Sequence, residues 1–459
     1  MNLITCVTAP ITNRRLPAVA GAVVLLLVTA CSSSDSQTVD RPKAPQSAVD
    51  AAEKAAAEAA GGEQLGGSVS MLGVLGGEEL DAFDSVLAPF EAATGIDVQY
   101  EGTRDFAAVL QTRVDGGNPP DVVATPAIGE MRGFAEDGVL ADMEAVVGQD
   151  VLEESFTPSL LETASLDGQV FGVFNTINLG GVIWYDPKTY DGPTDPQTWE
   201  ELQGWATEQA AAGETPWCVG LESGAASGWP AADFIDEILL RQAGPEFHKR
   251  WQEGEEPFSS PEVKQAFETY GEMVQEDMVY GGSVTALSTN FAKAANPMFA
   301  EDPACSILQQ ATFMGGIIMD SFANLEPETD LDYFPVPDFT TEFPGLRSIS
   351  GEIVGVINDT PQAVALTKYL ATAEAGTLIA STGRWLSPNQ NVDESAYQDP
   401  FLAKASKILA EAEGTYSLGN SLMPQILVDA FWKGSAEYTK NPEDLDEILA
   451  TIDQAQQSG

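Results

Sequence analysis

One histidine, His248, stands among 459 residues. That scarcity removes HExxH zinc sites, histidine-rich metal sites and hydrolytic triads with a histidine base, all of which need imidazole at set positions. Cations are scarce too: 21 Lys and Arg face 70 Asp and Glu, a formal charge of −49. Phosphates demand Lys and Arg, so this balance argues against a nucleic-acid partner. It argues equally against docking on anionic lipid through basic patches. No GxxxxGK[ST] loop is present, so no P-loop nucleotide site is predicted. No apolar run reaches 18 residues, and no membrane-spanning helix is predicted. No cofactor and no metal site is predicted. What is present is a hydrophobic content of 44%, enough for a sizeable core. The length fits two to three domains or one large two-lobed unit. The acids are spread along the chain and read as a solvated, self-repelling surface suited to salt.

The N-terminus is an address. Arg14 and Arg15 precede an apolar run from Leu16 to Val28, and Val28-Thr29-Ala30-Cys31 then leads into Ser32-Ser33-Ser34. A basic region, a short apolar stretch and small residues at the cut describe a secretory signal over 1–30. The run would rise only about 20 Å as a helix, too short to span a bilayer. Cysteine directly after small residues resembles the bacterial lipobox. That resemblance implies a lipid on Cys31 and a protein held on the outer face of the cell membrane. An ordinary signal peptide with an incidental cysteine is the other reading, and the Arg pair leaves Sec and twin-arginine export both open. Cys6 leaves with the signal, so Cys218 and Cys305 remain in an oxidising compartment, where a disulfide is the economical expectation. Two buried free thiols are the alternative. Residues 31–66 read as the lipidated cysteine and a flexible tether. Val49 to Ala60 has helical alanine content but shows no apolar face to pack.

From Ser68 the pattern is α/β. Val69–Val74 reads as a buried strand, and Leu80, Phe83, Val86, Leu87 and Phe90 form a helical stripe stopped by Gly95. Strands follow at Ile96–Tyr100 and Asp121–Ala124, with a helix from Asp105 to Val114 between them. Strands alternating with helices predict mostly parallel sheets covered on both faces. Thr198-Trp199-Glu200-Glu201 is a capping box. Ser260-Pro261 and Thr360-Pro361 are helix starts. Ile177–Tyr185 is the best strand of the middle region, and Gly351–Ile357 is another.

Several segments together resemble the extracellular solute-binding proteins of bacterial ABC importers, in the group that includes maltose-binding protein. They are Phe90–Val98, Gly117-Asn118-Pro119-Pro120-Asp121-Val122-Val123, and Leu422-Met423-Pro424 with Ala430-Phe431-Trp432. Thr215–Gly224 running into Ser227-Gly228-Trp229-Pro230 is similar to binders of α-glucosides, as are Arg384–Asn389 and Phe431-Trp432-Lys433-Gly434. The resemblance covers 67–459. It implies a type II two-lobed α/β fold with the ligand in a cleft between the lobes. Lobe one would hold 67–175 and 350–391, and lobe two 180–347 and 392–459, with hinges near 176–179, 348–351 and 391–394.

A sugar offers C–H faces that stack on aromatic rings and hydroxyls that need donors and acceptors. Trp229, Trp385 and Trp432 are the sharper aromatic candidates, with Phe313 aligned to a family aromatic. Trp432 matches the family position that stacks on sugar. Each could instead be a core indole, which is the reading for Trp184, Trp199 and Trp205. Glu222 and Asp233 flank Trp229 on its Gly-rich loop and helix, and Arg384 precedes Trp385. Glu78, Thr125 and Glu352 lie on loops at strand ends or at a hinge, where open α/β sheets bind ligands. The combined reading is a non-enzymatic, monomeric, lipid-anchored binder. It captures an oligosaccharide, an α-glucoside by resemblance, closes by a hinge motion, and delivers the sugar to ABC permease subunits. Rival readings are a secreted glycoside hydrolase, which also needs tryptophans and carboxylates, a structural lipoprotein, and a binder of peptides or polyols.

Overall fold

The computed structural model describes residues 44–103, 105–322 and 324–457. Cys31 and the signal sequence lie outside the described residues. The elements that position the site are, in chain order, α1 (Gln46–Ala59), β1 (Ser68–Gly73), α2 (Glu78–Thr94), β2 (Asp97–Gly102), α3 (Phe106–Asp115), β3 (Val122–Thr125) and α4 (Ile128–Glu136). Then come β4 (Val173–Leu179), β5 (Val182–Tyr185), α5 (Trp199–Ala212), α6 (Trp229–Ala243), β6 (Ile307–Gln310), α7 (Phe313–Ser321), β7 (Asp332–Pro335) and β8 (Leu346–Val356). The chain finishes this set with α8 (Pro361–Leu370), α9 (Ala373–Ser381), β9 (Gly414–Ser417) and α10 (Gln425–Lys440).

The first sheet runs β9–β8–β3–β1–β2, with β4 also paired to β8. β1 is parallel to β2 and β3. Helix α2 buries Phe83, Val86, Leu87 and Phe90 against this sheet, as the stripe predicts. Its acids Glu78, Glu79 and Asp81 sit in the first turn, where the helix dipole favours them. It stops at Gly95, whose φ of +70° suits a residue without Cβ. The second sheet departs from the parallel expectation: β5 lies between β6 and β7, and both pairings are antiparallel. Long helical excursions join these strands.

The segment 177–185 is two strands, not one. β4 belongs to the first sheet and β5 to the second, with Gly180 and Gly181 between them. The apolar pattern runs through both because both are buried, so periodicity does not show the break. β8 begins five residues before the predicted Gly351. It pairs with β9 at its start, with β4 through its middle and with β3 at its end. β4 and β8 are therefore the neighbouring strands that leave the first sheet side by side.

The tether reading is corrected over 46–59. Helix α1 packs on α2, α8 and α9, and Ala52 and Ala56 are buried in the same core as Phe83, Phe90 and Tyr369. An all-alanine face is an apolar face. Its small methyls let helix backbones approach closely, which hydropathy patterning weighted to large side chains overlooks.

A second core gathers Trp199, Trp217, Trp251, Phe234 and Phe431 around α5, α6 and α10. Trp199 and Trp217 stack with ring centroids 5.9 Å apart. The Thr198 hydroxyl accepts from the Glu201 N–H at 3.2 Å as the cap predicts, while the Glu201 carboxylate reaches one residue past the N-cap and accepts from the Gln197 N–H at 3.0 Å. Cys218 and Cys305 form a disulfide, which closes a loop of 87 residues and disfavours the unfolded chain by about 4–5 kcal/mol in the chain-entropy account.

Beneath the crossing strands lies a buried ion set. Arg241 is fully buried and donates to Glu237 Oε1 at 3.1 Å, to Asp338 Oδ1 at 2.8 Å and to the Val336 carbonyl at 2.9 Å. Burial pushes the Glu237 carboxyl up, and the Arg241 charge opposes that shift. Removing one partner from such a set leaves an uncompensated buried charge.

The packing of α1 is directly testable. Ala52→Asp places a charge at a position with 0% exposure, so the melting temperature should fall by several degrees, a loss of about 2–3 kcal/mol. Glu53→Gln, one residue on and exposed, should leave it unchanged.

Candidate functional site

Helix α6 carries the centre of the site. Its first residue, Trp229, follows Gly228, which has a φ of +100° and packs against the Trp432 carbonyl of α10, leaving no room for a Cβ. This close approach sets the Trp229 and Trp432 backbones side by side. The Trp229 ring is half-buried, 5.2 Å edge-on from Phe291 and 6.1 Å from Phe313 at the start of α7. Trp432 is also half-buried, and its indole nitrogen is buried without a hydrogen-bond partner. Trp229 and Phe313 are thus brought together, with the Trp432 backbone beside the start of the same helix, and Phe291 joins them without any signal in the sequence.

One turn after Trp229, the half-buried Asp233 accepts from Asn420 Nδ2 at 3.1 Å. Asn420 also donates its backbone N–H, at 2.7 Å, and its amide, at 2.9 Å, to Asp236. Asp236 in turn contacts His248 Nε2 at 2.6 Å. The only histidine therefore braces this chain of polar contacts from within the core. Burial, with Asp236 and Glu237 nearby, pushes the Asp233 carboxyl up to about 8.

The short turn Gly419–Leu422 that presents Asn420 continues to Met423, whose carbonyl packs on Gly129 of α4. On α4 the next residue, Glu130, is pushed up to about 7 by burial and by Asp429 of α10. Helix α4 packs beside the first sheet, so α4, the Asn420 turn, α6 and α10 converge here. The sequence offers no signal for Glu130, Asn420 or Asp429, because their approach is entirely long-range.

Other candidates fall into different roles. Glu222 accepts from Asn290 Nδ2 at 2.7 Å and from the Gly224 N–H at 2.8 Å, bonds that hold its carboxyl below the usual range. It braces its own loop. Arg384 is buried and paired with Glu78 at 3.1 Å and with Asp320 of α7 at 3.0 Å. Two predicted residues, Arg384 and Glu78, therefore do meet. The third partner comes from the helix that packs Met314 and Ile318 around the second sheet, so Arg384 ties that helix to the start of α2. Trp385 is corrected: it is 5% exposed and packs with Leu366, Leu378 and Ile379, a core indole. The Thr125 hydroxyl is buried and accepts from the Ala127 N–H at 3.1 Å. Glu352 is buried on β8, opposite Thr176, one step beyond the Ile353–Thr125 pair. A cavity beside Cys218, lined by Trp217, Leu221 and Tyr270, has a volume of about 20 Å3, room for a water and not for a sugar ring.

Residues 76–377 match the family model described as bacterial extracellular solute-binding protein. The osmoprotective compounds-binding protein GgtB of Synechocystis is 34% identical over 391 residues, covering 84% of this chain and 92% of the relative. The α-glucosides-binding periplasmic protein AglE of Rhizobium meliloti is 28% identical, covering 86% and 88%. Among solved structures, a chitin oligosaccharide binding protein superposes with a TM-score of 0.71 at 17% identity, over 85% of this chain and 98% of that one. Maltose-bound MalE3 of T. maritima gives 0.63 at 16% identity, over 85% and 99%. The chain belongs to the bacterial extracellular solute-binding protein family, the binding components of ABC importers, and has their two-lobed type II α/β fold.

The raised Asp233 carboxyl has a measurable consequence. The folded state holds a proton there that the unfolded chain releases near pH 4. This contribution is therefore fully present below that pH and is lost as pH rises towards 8. Asp233→Asn should flatten the fall in melting temperature between pH 5 and 8 and raise the value at pH 8 by several degrees, measured by calorimetry.

Proposed function

We propose that this chain is the lipid-anchored, substrate-capturing component of a carbohydrate importer, and that its ligand is a neutral oligosaccharide of the α-glucoside class. The observation that carries the reading is the half-buried aromatic group of Trp229, Phe313 and Phe291 beside Asp233, with Trp432 abutting on α10. Flat rings next to hydrogen-bonding carboxyls match the two surfaces of a sugar. The likeness to AglE, an α-glucosides-binding periplasmic protein, supports the same class. Arg384, the cation near the strand ends, is already held by two carboxylates, which favours an uncharged ligand over an anion.

The two lobes of this reading meet along β4 and β8. Lobe one comprises about 67–175 and 350–391 together with α1. Lobe two comprises about 180–347 and 392–459. Closure of the lobes over the sugar would present the loaded form to permease subunits. The family resemblance and the site both favour a binder over a glycoside hydrolase, and release of reducing sugar from a bound oligosaccharide would reverse that choice.

Intrinsic tryptophan fluorescence and thermal shift against trehalose, sucrose, maltose, maltodextrins, glucose and polyols test the reading. A saturable response to one sugar class, with a raised melting temperature, is expected. Trp229→Ala and Trp432→Ala should each weaken that sugar by about tenfold or more, whereas Trp385→Phe should change stability and leave affinity within about twofold. Silence from every sugar on folded protein sinks the assignment. Independently, Cys31→Ser should move the protein from the membrane fraction to the soluble fraction and abolish labelling by fatty acid. Retention of both would overturn the anchor.

A further inference from the structure

Asn175 is 2% exposed, and both its amide nitrogen and its amide oxygen are buried with no hydrogen-bond partner. Burying an amide without partners is costly. Its neighbours Val173 and Phe174 belong to the apolar cores on the two faces of the first sheet, so a leucine here would carry no polar cost. Nothing in the packing explains the amide.

The position does explain it. Along the β4–β8 ladder, Thr176 pairs with Glu352 and Phe174 pairs with Ile353, so Asn175 is the extra residue of a bulge. Bulges re-aim side chains and recur beside binding sites. Ile353 also pairs with Thr125, the last residue of β3. Asn175 therefore sits at the carboxyl end of the parallel strands, the edge where open α/β sheets take ligands. It also lies where β4 and β8 leave the first sheet together, the strands along which the two lobes of the reading above meet.

We propose that Asn175 contacts the ligand and reads a pair of adjacent hydroxyls, the amide NH2 donating to one and the amide oxygen accepting from the other. An uncharged donor–acceptor pair fits a vicinal diol on a sugar ring and gives no preference to charged ligands. The proposal rests on the sugar reading above and adds to it a contact from the crossing strand. The amide costs stability in the empty protein and is satisfied when the ligand arrives, a trade expected of binding residues.

The test uses the full-length protein carrying Asn175→Leu, a near-isosteric apolar replacement. Affinity for trehalose, sucrose and maltose is measured by titration calorimetry, and melting temperature is measured with and without sugar. The Kd for the sugar that binds the unaltered protein should rise about tenfold to a hundredfold. The ligand-free melting temperature should stay level or rise, and the sugar-induced increase should shrink. Thr367→Val is the control. It removes a different buried polar group that has no partner, a hydroxyl on α8, and should leave the Kd unchanged. If leucine does not fold, Asn175→Ser, smaller and still polar, should show the same loss of affinity. A Kd within twofold of the unaltered protein, or a lowered ligand-free melting temperature with unchanged Kd, overturns the role of Asn175 while the sugar reading stands. No binding of any of the three sugars by the unaltered protein overturns both.

Discussion

The fully buried Arg241 guanidinium is the contact on which the site's geometry depends. From α6 it reaches Glu237 on its own helix, Asp338 and the Val336 carbonyl just after β7. Arg347 at the start of β8 lies 3.8 Å from the same Asp338 carboxylate. The helix that presents Trp229 and Asp233 is thereby fixed to the second sheet and to a crossing strand by charge pairs. Such pairs contribute little net stability, but breaking one is costly, so they specify position more than they add energy. Gly181, between β4 and β5, leaves the space that the Glu237 carboxylate occupies.

From that base the rest follows by packing. Gly228 lets α10 lie against the first turn of α6, which sets two tryptophans at one place. His248 and Asp236 fix Asn420, and Asn420 fixes Asp233. Through Met423 and Gly129 the same turn touches α4 beside the first sheet. The site is a layered arrangement: ion pairs in the core hold a helix, polar contacts hold a loop, and half-buried rings and carboxyls face outward. Carboxyls dominate it. In a chain with charge −49, several of them have protonation tied to burial, so solvent exclusion and acidity are coupled at this site.

Much of the first sheet was readable in one dimension. The stripe on α2, its Gly95 stop and the strands around it are local signals, and the structure keeps them within a residue or two. The capping box at Thr198 and the threonine cap at Thr360 likewise act within four residues. Two of the departures from the sequence reading have a local physical cause. Val182–Tyr185 looked continuous with its predecessor because both stretches are fully buried, and burial erases the alternation that marks a sheet face. Alanine gave α1 a helix signal but hid its packing face, because small side chains score weakly as apolar.

At the site, the residue types were legible and their roles were not. Tryptophan beside a Gly-rich loop pointed to Trp229, and a family segment pointed to Trp432. Nothing local separates those rings from Trp385, because exposure depends on which helices cover the indole. Glu130 and Asp429, or Asn420 and Asp233, are far apart in the chain and meet only through the fold. By itself, the sequence determined the α/β class, the poverty in imidazole and cationic chemistry and the helix ends, because these rest on composition and on contacts within a few residues. Only the tertiary structure decided which carboxylates are paired or pushed up in pKa, which tryptophans are core, and that Asn175 lies in a bulge without partners. Those properties are set by desolvation and by neighbours brought from distant positions.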